Sequence, residues 1–247
     1  MISLSLFASG FGDRTRDLLG HPYALARTAL RQELYRLKLD STTGQVLDVG
    51  CGSMPYRSLF KKVTSYHGLE IDQPRNRSNP HVTFWYDGTQ FPLAHKSYAA
   101  VFCSQVLEHT FTPERLIAEV FRVLEPGGHF ILTIPFFWPE HEQPYDSQRL
   151  TSFGLVQRLH QAGFVDVRVK KTNPGITALL QLSIEWLESL QRRYLRGRAS
   201  SVWRLLTFVP YSIMNLIGAC YRSCPWVRRS LADAELYLDL VVSARKP

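Results

Sequence analysis

Apolar residues recur along this chain with two different periods, and these periods predict its secondary structure. In 22–39 the apolar residues Ala26, Leu30, Leu34 and Leu37 lie three or four positions apart, which predicts an amphipathic helix. Short apolar runs bounded by glycine, proline or charged residues predict buried strands instead. The predicted strands cover 45–50, 65–70, 82–86, 99–104, 129–134, 165–171 and 235–244.

Helical segments lie between these predicted strands. A short helix with an early proline is predicted over 55–62, and Thr112 is predicted to be the N-cap of a second helix that Pro126 stops. A third helix is predicted over 151–162. The alternation of strands and helices predicts an α/β fold in which seven mostly parallel strands are covered by helices on both faces.

A long segment, 173–232, separates the sixth predicted strand from the last. Its apolar residues have helical spacing in 176–196, and 205–221 is a run of 17 residues without a charge. Seventeen residues are at the short limit for crossing a bilayer. Pro210 and Asn215 are expected to interrupt this run, so a membrane crossing is not expected.

This segment also defines the predicted domains. Residues 1–172 and 233–247 form the first, and 173–232 form a helical insertion before the last strand. Eight arginines and no lysine, aspartate or glutamate lie in 189–232. A basic, apolar insertion fits two roles, and both stay open: it lies on an anionic membrane surface, or it caps the active site and binds substrate.

Composition narrows the classes of function. The 247 residues include 29 lysines and arginines and 21 aspartates and glutamates, a net charge of +8, all of which comes from 189–232. Since the rest of the chain is neutral overall, no nucleic-acid partner is expected. Four cysteines without a CxxC pair predict neither a disulfide scaffold nor a structural zinc site. The first residues lack the basic start of a signal peptide, so we expect a cytoplasmic protein, peripheral at the inner membrane face in the lipid-binding alternative.

A glycine turn follows the first predicted strand, in the segment VLDVGCGSMPY. Gly50 and Gly52 allow a tight turn and the close approach of a ligand. Glu70 ends the next strand 20 residues after Gly50, where a carboxylate binds ribose hydroxyls. Dinucleotides and S-adenosylmethionine both use this geometry. Pro55 replaces the third small residue of the dinucleotide fingerprint, and the Asp48 carboxylate suits the positive charges of S-adenosylmethionine.

Four sequence blocks resemble class I S-adenosylmethionine-dependent methyltransferases, in the group related to type 11 and ubiquinone-biosynthesis methyltransferases. They read VLDVGCG (46–52), YHGLEID (66–72), FWYDGTQFPL (84–93) and SQVLEHTFTPERLIAEVFRVLEPGGHFILTIP (104–135). The last block is the most specific, because it joins Leu-Glu-His, a helix and Arg-Val-Leu-x-Pro-Gly-Gly between two strands. The resemblance covers 45–171 and 235–247 and implies a Rossmann-like fold with S-adenosyl-L-methionine as cofactor.

The resemblance also implies the residues of the cofactor site. In that family the residues around the glycine turn hold the methionine end, the acid Glu70 binds the ribose, and Asp87 faces the adenine amino group. Many members have a third glycine where this chain has Met54, so we expect the turn to open slightly there. The residues assigned to the cofactor are Asp48, Gly50, Cys51, Gly52, Glu70, Ile71, Asp87, Gly88, Thr89, Ser104 and Gln105.

Transfer of an activated methyl group needs mainly an aligned nucleophile, and a hydroxyl nucleophile also needs a general base. The candidates for that base are His109 and His141, which follow carboxyl ends of predicted strands, where ligands bind in open α/β sheets. Each has a structural alternative, as a helix-start residue or a loop residue. No metal is expected, because His129 lies at a strand start and should point away from the His141 loop.

We therefore expect a methyltransferase that acts on a small molecule, with lipid-like, quinone-like or saccharide-linked acceptors ahead of protein or nucleic acid. Two alternatives stay open. One is a non-catalytic, methyltransferase-like protein that docks to a membrane or a partner through 173–232, and the other is an NAD-linked enzyme. The glycine turn and Glu70 favour catalysis over the first alternative.

Overall fold

The computed structural model describes residues 21–74, 76–195, 198–224 and 235–247. Seven strands form one sheet, in the order β3-β2-β1-β4-β5-β7-β6. The strands are β1 (Gln45–Val49), β2 (Ser65–Ile71), β3 (Phe84–Tyr86), β4 (Tyr98–Ser104), β5 (Leu124–Pro135), β6 (Val165–Thr172) and β7 (Asp239–Arg245). The seven-stranded prediction is thereby confirmed, although β5 begins five residues earlier than predicted and β7 four residues later.

The sheet is parallel except for its last strand. β1 pairs in parallel with β2 and β4, β2 with β3, and β4 with β5. β7 runs in the opposite direction, because the Leu238 N–H before it donates to the Thr172 carbonyl at the end of β6. At the other end of β7 the Lys246 N–H donates to the Gly128 carbonyl near the start of β5. The sheet is therefore mostly parallel.

The helices follow from apolar residues three or four positions apart. In the helix that precedes β5, Leu116, Val120 and Val123 are buried, and Pro113 occupies its first turn, where no N–H is needed. The helices are α1 (Ala24–Arg36), α2 (Pro113–Val123), α3 (Ser152–Gln161), α4 (Ile176–Tyr194) and α5 (Arg198–Ser223).

One prediction of a short helix is wrong in detail. Only a 3-10 turn, Arg57–Leu59, forms within the helix predicted over 55–62, because Met54 before it is left-handed and the backbone has left the helical region at Phe60, where φ is −102° and ψ is 85°. The N-cap prediction is confirmed, because Thr112 precedes α2 as its N-cap, although its side chain makes no cap hydrogen bond.

The interruption expected in the insertion is also absent, since α5 continues through Pro210 and Asn215. Pro210 lies on the exposed side of the helix. The Asn215 amide points away from the helix backbone and donates to the His21 carbonyl at 3.1 Å. The Asn215 side chain therefore does not compete with the helical hydrogen bonds. Pro210 has no N–H to donate, and the helix continues through it with the loss of that one bond.

The chain divides into two compact units, and every candidate site residue lies in the first. The first unit contains Glu33–Lys170 and Leu240–Pro247, and the second contains Phe11–Gln32 and Lys171–Asp239. The second unit therefore includes residues before β1 that the sequence did not associate with the insertion. The domain boundaries predicted from the sequence stay a proposal.

Candidate functional site

The turn after β1 has a left-handed backbone at both glycines. Gly50 has a φ of 66°, and a Cβ there would lie 2.3 Å from Cγ2 of Val106. Gly52 has a φ of 47°, but a Cβ there would meet no atom within 4 Å. Packing therefore requires a glycine at 50, whereas Gly52 borders open space that a ligand can enter. Met54, in the position of the family's third glycine, also has a positive φ, of 54°.

Glu70 reaches this turn from the end of β2. Its Oε2 accepts a hydrogen bond from the Gly52 N–H at 3.3 Å, and its Oε1 accepts one from the Ile71 N–H at 3.3 Å. The residue is buried, with 7% of its surface exposed. Because β1 and β2 are parallel neighbours, their carboxyl ends bring the acid and the glycine turn together, as the sequence predicted.

Asp48 is buried beneath the same turn and accepts a hydrogen bond from the Tyr66 hydroxyl at 2.7 Å. Burial raises the pKa of Asp48 well above its usual range, the Tyr66 hydrogen bond opposes this, and Glu70 adds to it. A cation in the cleft would reverse the balance, because an opposite charge nearby favours the ionised carboxylate. The site is therefore suited to a ligand that brings positive charge.

One cleft joins most of the predicted cofactor residues at the carboxyl ends of β1 and β4. Behind it, the Ser104 and Thr133 hydroxyls are 2.8 Å apart, and the Gln105 amide donates to the Thr133 hydroxyl at 3.1 Å. Thr133 and the apolar lining residues were not predicted, because they come from several separate segments. The cleft is lined by Asp48, Gly50, Cys51, Gly52, Ser53, Pro55, Tyr56, Phe102, Ser104 and Gln105.

The remaining predicted cofactor residues lie at the ends of β2 and β3. Asp87 follows β3, and its Oδ1 accepts hydrogen bonds from the Thr89 hydroxyl at 2.6 Å and the Thr89 N–H at 2.8 Å. The Thr89 hydroxyl bond is the main cause of the lowered pKa of Asp87. Ile71 lies next to Gly88, where a Cβ would be 3.4 Å from Ile71 Cδ1. This second group shares the carboxyl edge of the sheet with the cleft residues.

The two candidate histidines are in contact. His109 ends the 3-10 turn Leu107–His109 after β4, and His141 lies in the loop after β5. Their ring centroids are 4.8 Å apart, and the rings are nearly perpendicular, at 78°. Burial, with a smaller contribution from His141, lowers the pKa of His109 from 6.5 to about 4. His109 is therefore neutral near pH 7 and a weak base.

Asp146 is the site residue that sequence reasoning missed. Its Oδ2 lies 3.1 Å from Nδ1 of His141 and accepts a hydrogen bond from the Arg149 guanidinium at 2.7 Å. Burial raises the pKa of Asp146, but the bonds from Arg149 and His141 outweigh it, so the net pKa is lowered. The carboxylate is therefore ionised and orients His141. Arg149 also donates to the Trp138 carbonyl, at 3.3 Å, which ties the loop together.

A metal ion would find ligands in the same place. The ligand atoms of Glu108, His109 and His141 all lie within 4.8 Å of one another, and Glu108 is fully buried. His129 is not part of this group, since it pairs with Ala100 near the start of β5, whereas His141 follows the carboxyl end of β5. The absence of a metal stays a prediction.

Comparison with known proteins identifies the family to which part of the chain is similar. Residues 47–132 match the family model described as a methyltransferase domain. A segment of 131 residues is 30% identical to a probable S-adenosylmethionine-dependent methyltransferase of Mycolicibacterium smegmatis, covering 48% of this chain and 51% of that protein. A sterol 24-C-methyltransferase of Yarrowia lipolytica is 24% identical over 254 residues, covering 89% of this chain and 66% of that protein. The chain thus spans about half to two thirds of the length of these curated relatives.

The fold agrees with this family. Phosphoethanolamine N-methyltransferase 2 of Haemonchus contortus, in complex with S-adenosyl-L-methionine, superposes with a TM-score of 0.51 at 17% identity, covering 100% of this chain and 60% of that chain. The chain therefore carries a class I S-adenosylmethionine-dependent methyltransferase domain, and S-adenosyl-L-methionine is the cofactor of that domain. The open space at Gly52 and the buried acid Asp48 fit that cofactor.

Proposed function

We propose that this class I methyltransferase transfers the methyl group of S-adenosyl-L-methionine to a small-molecule acceptor. The observation that carries the proposal is the cleft beside the glycine turn, where Glu70 reaches the Gly52 N–H and Asp48 lies buried below. The cleft has the acids and the open backbone that a positively charged nucleoside requires. The non-catalytic alternative does not need any of these features.

Each part of the cleft has a role in this proposal. Glu70 would bind the ribose hydroxyls, and Asp48 would face the positively charged methionine end. Ser104 and Gln105 would line the pocket beside the methionine part. When bound, the cofactor supplies an activated methyl electrophile. The protein then mainly fixes the acceptor in line with that methyl group, and orientation of this kind contributes several kcal/mol, up to about 7–11.

For a hydroxyl acceptor, His141 is the general base that the geometry favours. The ionised Asp146 carboxylate holds Nδ1 of His141 at 3.1 Å, which leaves Nε2 for the acceptor proton. His109 is a poorer base, because its pKa is lowered to about 4. We assign His109 to packing against the His141 ring. An amine or carbon acceptor would use the same loop for positioning alone.

An apolar acceptor is the second part of the proposal. The yeast relative that aligns with 89% of this chain is named for a sterol, which is an apolar acceptor. The exposed apolar helices of the second unit support the same class. We include lipid-like, quinone-like and saccharide-linked molecules in it. Reduced thiols at the buried Cys51 and Cys103 are in keeping with the cytoplasmic location that we propose.

The test is methyl transfer from labelled S-adenosyl-L-methionine to a sterol, a quinone precursor and a lipid-linked saccharide. We expect label in an organic-phase product with the wild-type chain and with Asp40→Ala, an exposed acid before β1. Glu70→Ala is expected to lose most of that label. A wild-type chain that does not bind S-adenosylhomocysteine would support the non-catalytic alternative. One that binds it but labels none of these acceptors would contradict the proposed acceptor class.

A further inference from the structure

The longest helix of the second unit exposes most of its aliphatic residues and buries two of its polar ones. Thr207 and Asn215 are buried, whereas six aliphatic residues three or four positions apart are between 50% and 76% exposed. An ordinary surface helix has the opposite pattern, with its apolar side turned inward. We call the six residues the apolar stripe: Leu205, Leu206, Val209, Ile213, Leu216 and Ile217.

Specific contacts fix the orientation of α5. The Asn215 amide donates to the His21 carbonyl, and the Arg222 guanidinium donates to the Leu25 carbonyl at 3.0 Å. A Cβ on Gly218 would lie 2.6 Å from Leu25 Cδ2, so the helix approaches α1 closely there. Rotating α5 to bury the stripe would break both hydrogen bonds. These contacts therefore hold α5 in the orientation that exposes the apolar stripe.

The neighbouring helix α4 has this pattern in part, because it also buries polar residues and exposes aromatic ones, although Ile184 is buried. Gln181 and Glu185 are buried, whereas Trp186 is 62% exposed and Tyr194 is 68% exposed. Gln181 accepts a hydrogen bond from the Ala26 N–H at 3.1 Å and donates to the Pro22 carbonyl. Polar contacts inside and apolar residues outside are typical of helices that pack in an apolar medium. Exposed tryptophan and tyrosine are typical of the membrane interface.

The charges indicate what covers this surface. In the sequence, four of the seven positions from 192 to 198 are arginine, and α5 contains no acidic residue. Arg192 is paired with Glu185, whereas Arg193 is exposed. Anionic lipid headgroups complement such a cluster. The stripe is entirely aliphatic, so it offers none of the hydrogen bonds that protein interfaces usually contain. Hydrocarbon fits it better than a protein partner does.

By length and composition, one helix in the described part of the chain, Ser201–Ser223, is suited to crossing a membrane, and only 24% of its apolar window is buried. A single crossing would separate β7 from β6, although both belong to one sheet. We infer that α4 and α5 instead dock flat on an anionic lipid surface, with the apolar stripe in the hydrocarbon boundary and the arginines at the headgroups. This inference goes beyond the proposed methyl transfer and does not depend on it.

Flotation of the full chain with lipid vesicles tests the inference. We expect the wild-type chain to float with phosphatidylcholine vesicles that contain phosphatidylglycerol, and less with phosphatidylcholine alone. Leu206→Glu with Leu216→Glu is expected to reduce the floated fraction at least about tenfold, because both side chains then resist burial. Phe153→Glu, which changes an apolar residue that is 85% exposed outside this surface, is expected to float like the wild type. Leu206→Gln with Leu216→Gln serves as a milder second pair of changes.

Folding and self-association are measured on the same samples. A thermal melt and S-adenosylhomocysteine binding show whether each variant is folded, and light scattering without lipid gives its mass. A wild-type chain that stays unbound with both vesicle types would overturn the inference, whether it is a monomer or a dimer. So would folded stripe variants that float as well as the wild type. Loss of flotation with cofactor binding retained would support it.

Discussion

At the scale of single residues, the site depends on a few positions that accept only one type of residue. Gly50 has no room for a side chain, whereas Gly52 faces open space, so two glycines in the same motif have different roles. The sequence predicted both, because the Gly-x-Gly pattern after a strand is local. Asp146 could not be predicted in the same way, since a folded loop brings it to His141.

Gly50→Ala is expected to destabilise the protein by several kcal/mol and to remove cofactor binding. The new Cβ would lie 2.3 Å from Val106 Cγ2 in a backbone of positive φ. Gly127→Ala is the matched control, because Gly127 also has a positive φ, of 79°, but no atom lies within 4 Å of its Cβ position. Gly127→Ala should lower the free energy of unfolding, measured in urea, by only about 1 kcal/mol. Equal losses would contradict the steric argument.

His109 makes the stability of the protein depend on pH. Its pKa falls from 6.5 to about 4 on folding. The free energy of unfolding that depends on a neutral His109 is therefore fully present above pH 6.5 and is lost as the pH falls towards 4. Between pH 7 and pH 5 the free energy of unfolding of the wild type should fall by about 2 kcal/mol more than that of His109→Gln. His81→Gln, at an exposed histidine, should behave like the wild type. Denaturant unfolding at the two pH values measures the difference, and parallel losses in wild type and His109→Gln would refute it.

Asp146→Asn tests the proposed base, once an acceptor is known. Removing the carboxylate should lower kcat for a hydroxyl acceptor by about 10²-fold or more and change its pH profile, with cofactor affinity unchanged. Asp166→Asn is the control, since Asp166 pairs with Arg245 at 2.8 Å on an exposed surface. A kcat that stays the same in Asp146→Asn would leave His141 without a catalytic role.

At the scale of helices and strands, the strands and most helix ends were predictable, and the short helix over 55–62 was not. The helix predicted over 151–162 spans Ser152–Gln161 in the structure. Strands 45–49 and 98–104 are short apolar runs between polar residues, so their pattern is explicit in the sequence. The 3-10 turn at Arg57–Leu59 depends on the left-handed Met54, which no periodicity reveals. α5 continues through Pro210 and Asn215, and contacts with residues far away in the sequence hold it, such as the hydrogen bond from Asn215 to the His21 carbonyl.

Gln181→Leu tests how the second unit is held together. The change leaves the Ala26 N–H and the Pro22 carbonyl without their present partner, which should cost about 1–3 kcal/mol. Ser183→Ala, on the exposed side of α4, should cost less than about 0.5 kcal/mol. Hydrogen exchange in α1 and α4 reports the difference. Unchanged protection in Gln181→Leu would show that apolar packing alone holds this unit.

At the scale of the whole molecule, the chain has a first unit that contains a methyltransferase domain and a second unit of unusual surface. The fold of the first was predictable, and so was the grouping of the proposed cofactor residues, because four sequence blocks place acids and glycines at one sheet edge. The second was predictable only as helical and basic. Its inverted faces depend on contacts with 21–32, a segment far away in the sequence.

The most direct test of the account is calorimetric titration with S-adenosylhomocysteine, the demethylated form of the cofactor. The wild-type chain and Asp40→Ala should bind it with equal affinity. Glu70→Ala should bind it about 10 to 100 times more weakly, since a charged hydrogen-bond acceptor is lost. No binding by the wild type, or equal binding by Glu70→Ala, would contradict the central claim that the acid and the glycine turn together form the cofactor site.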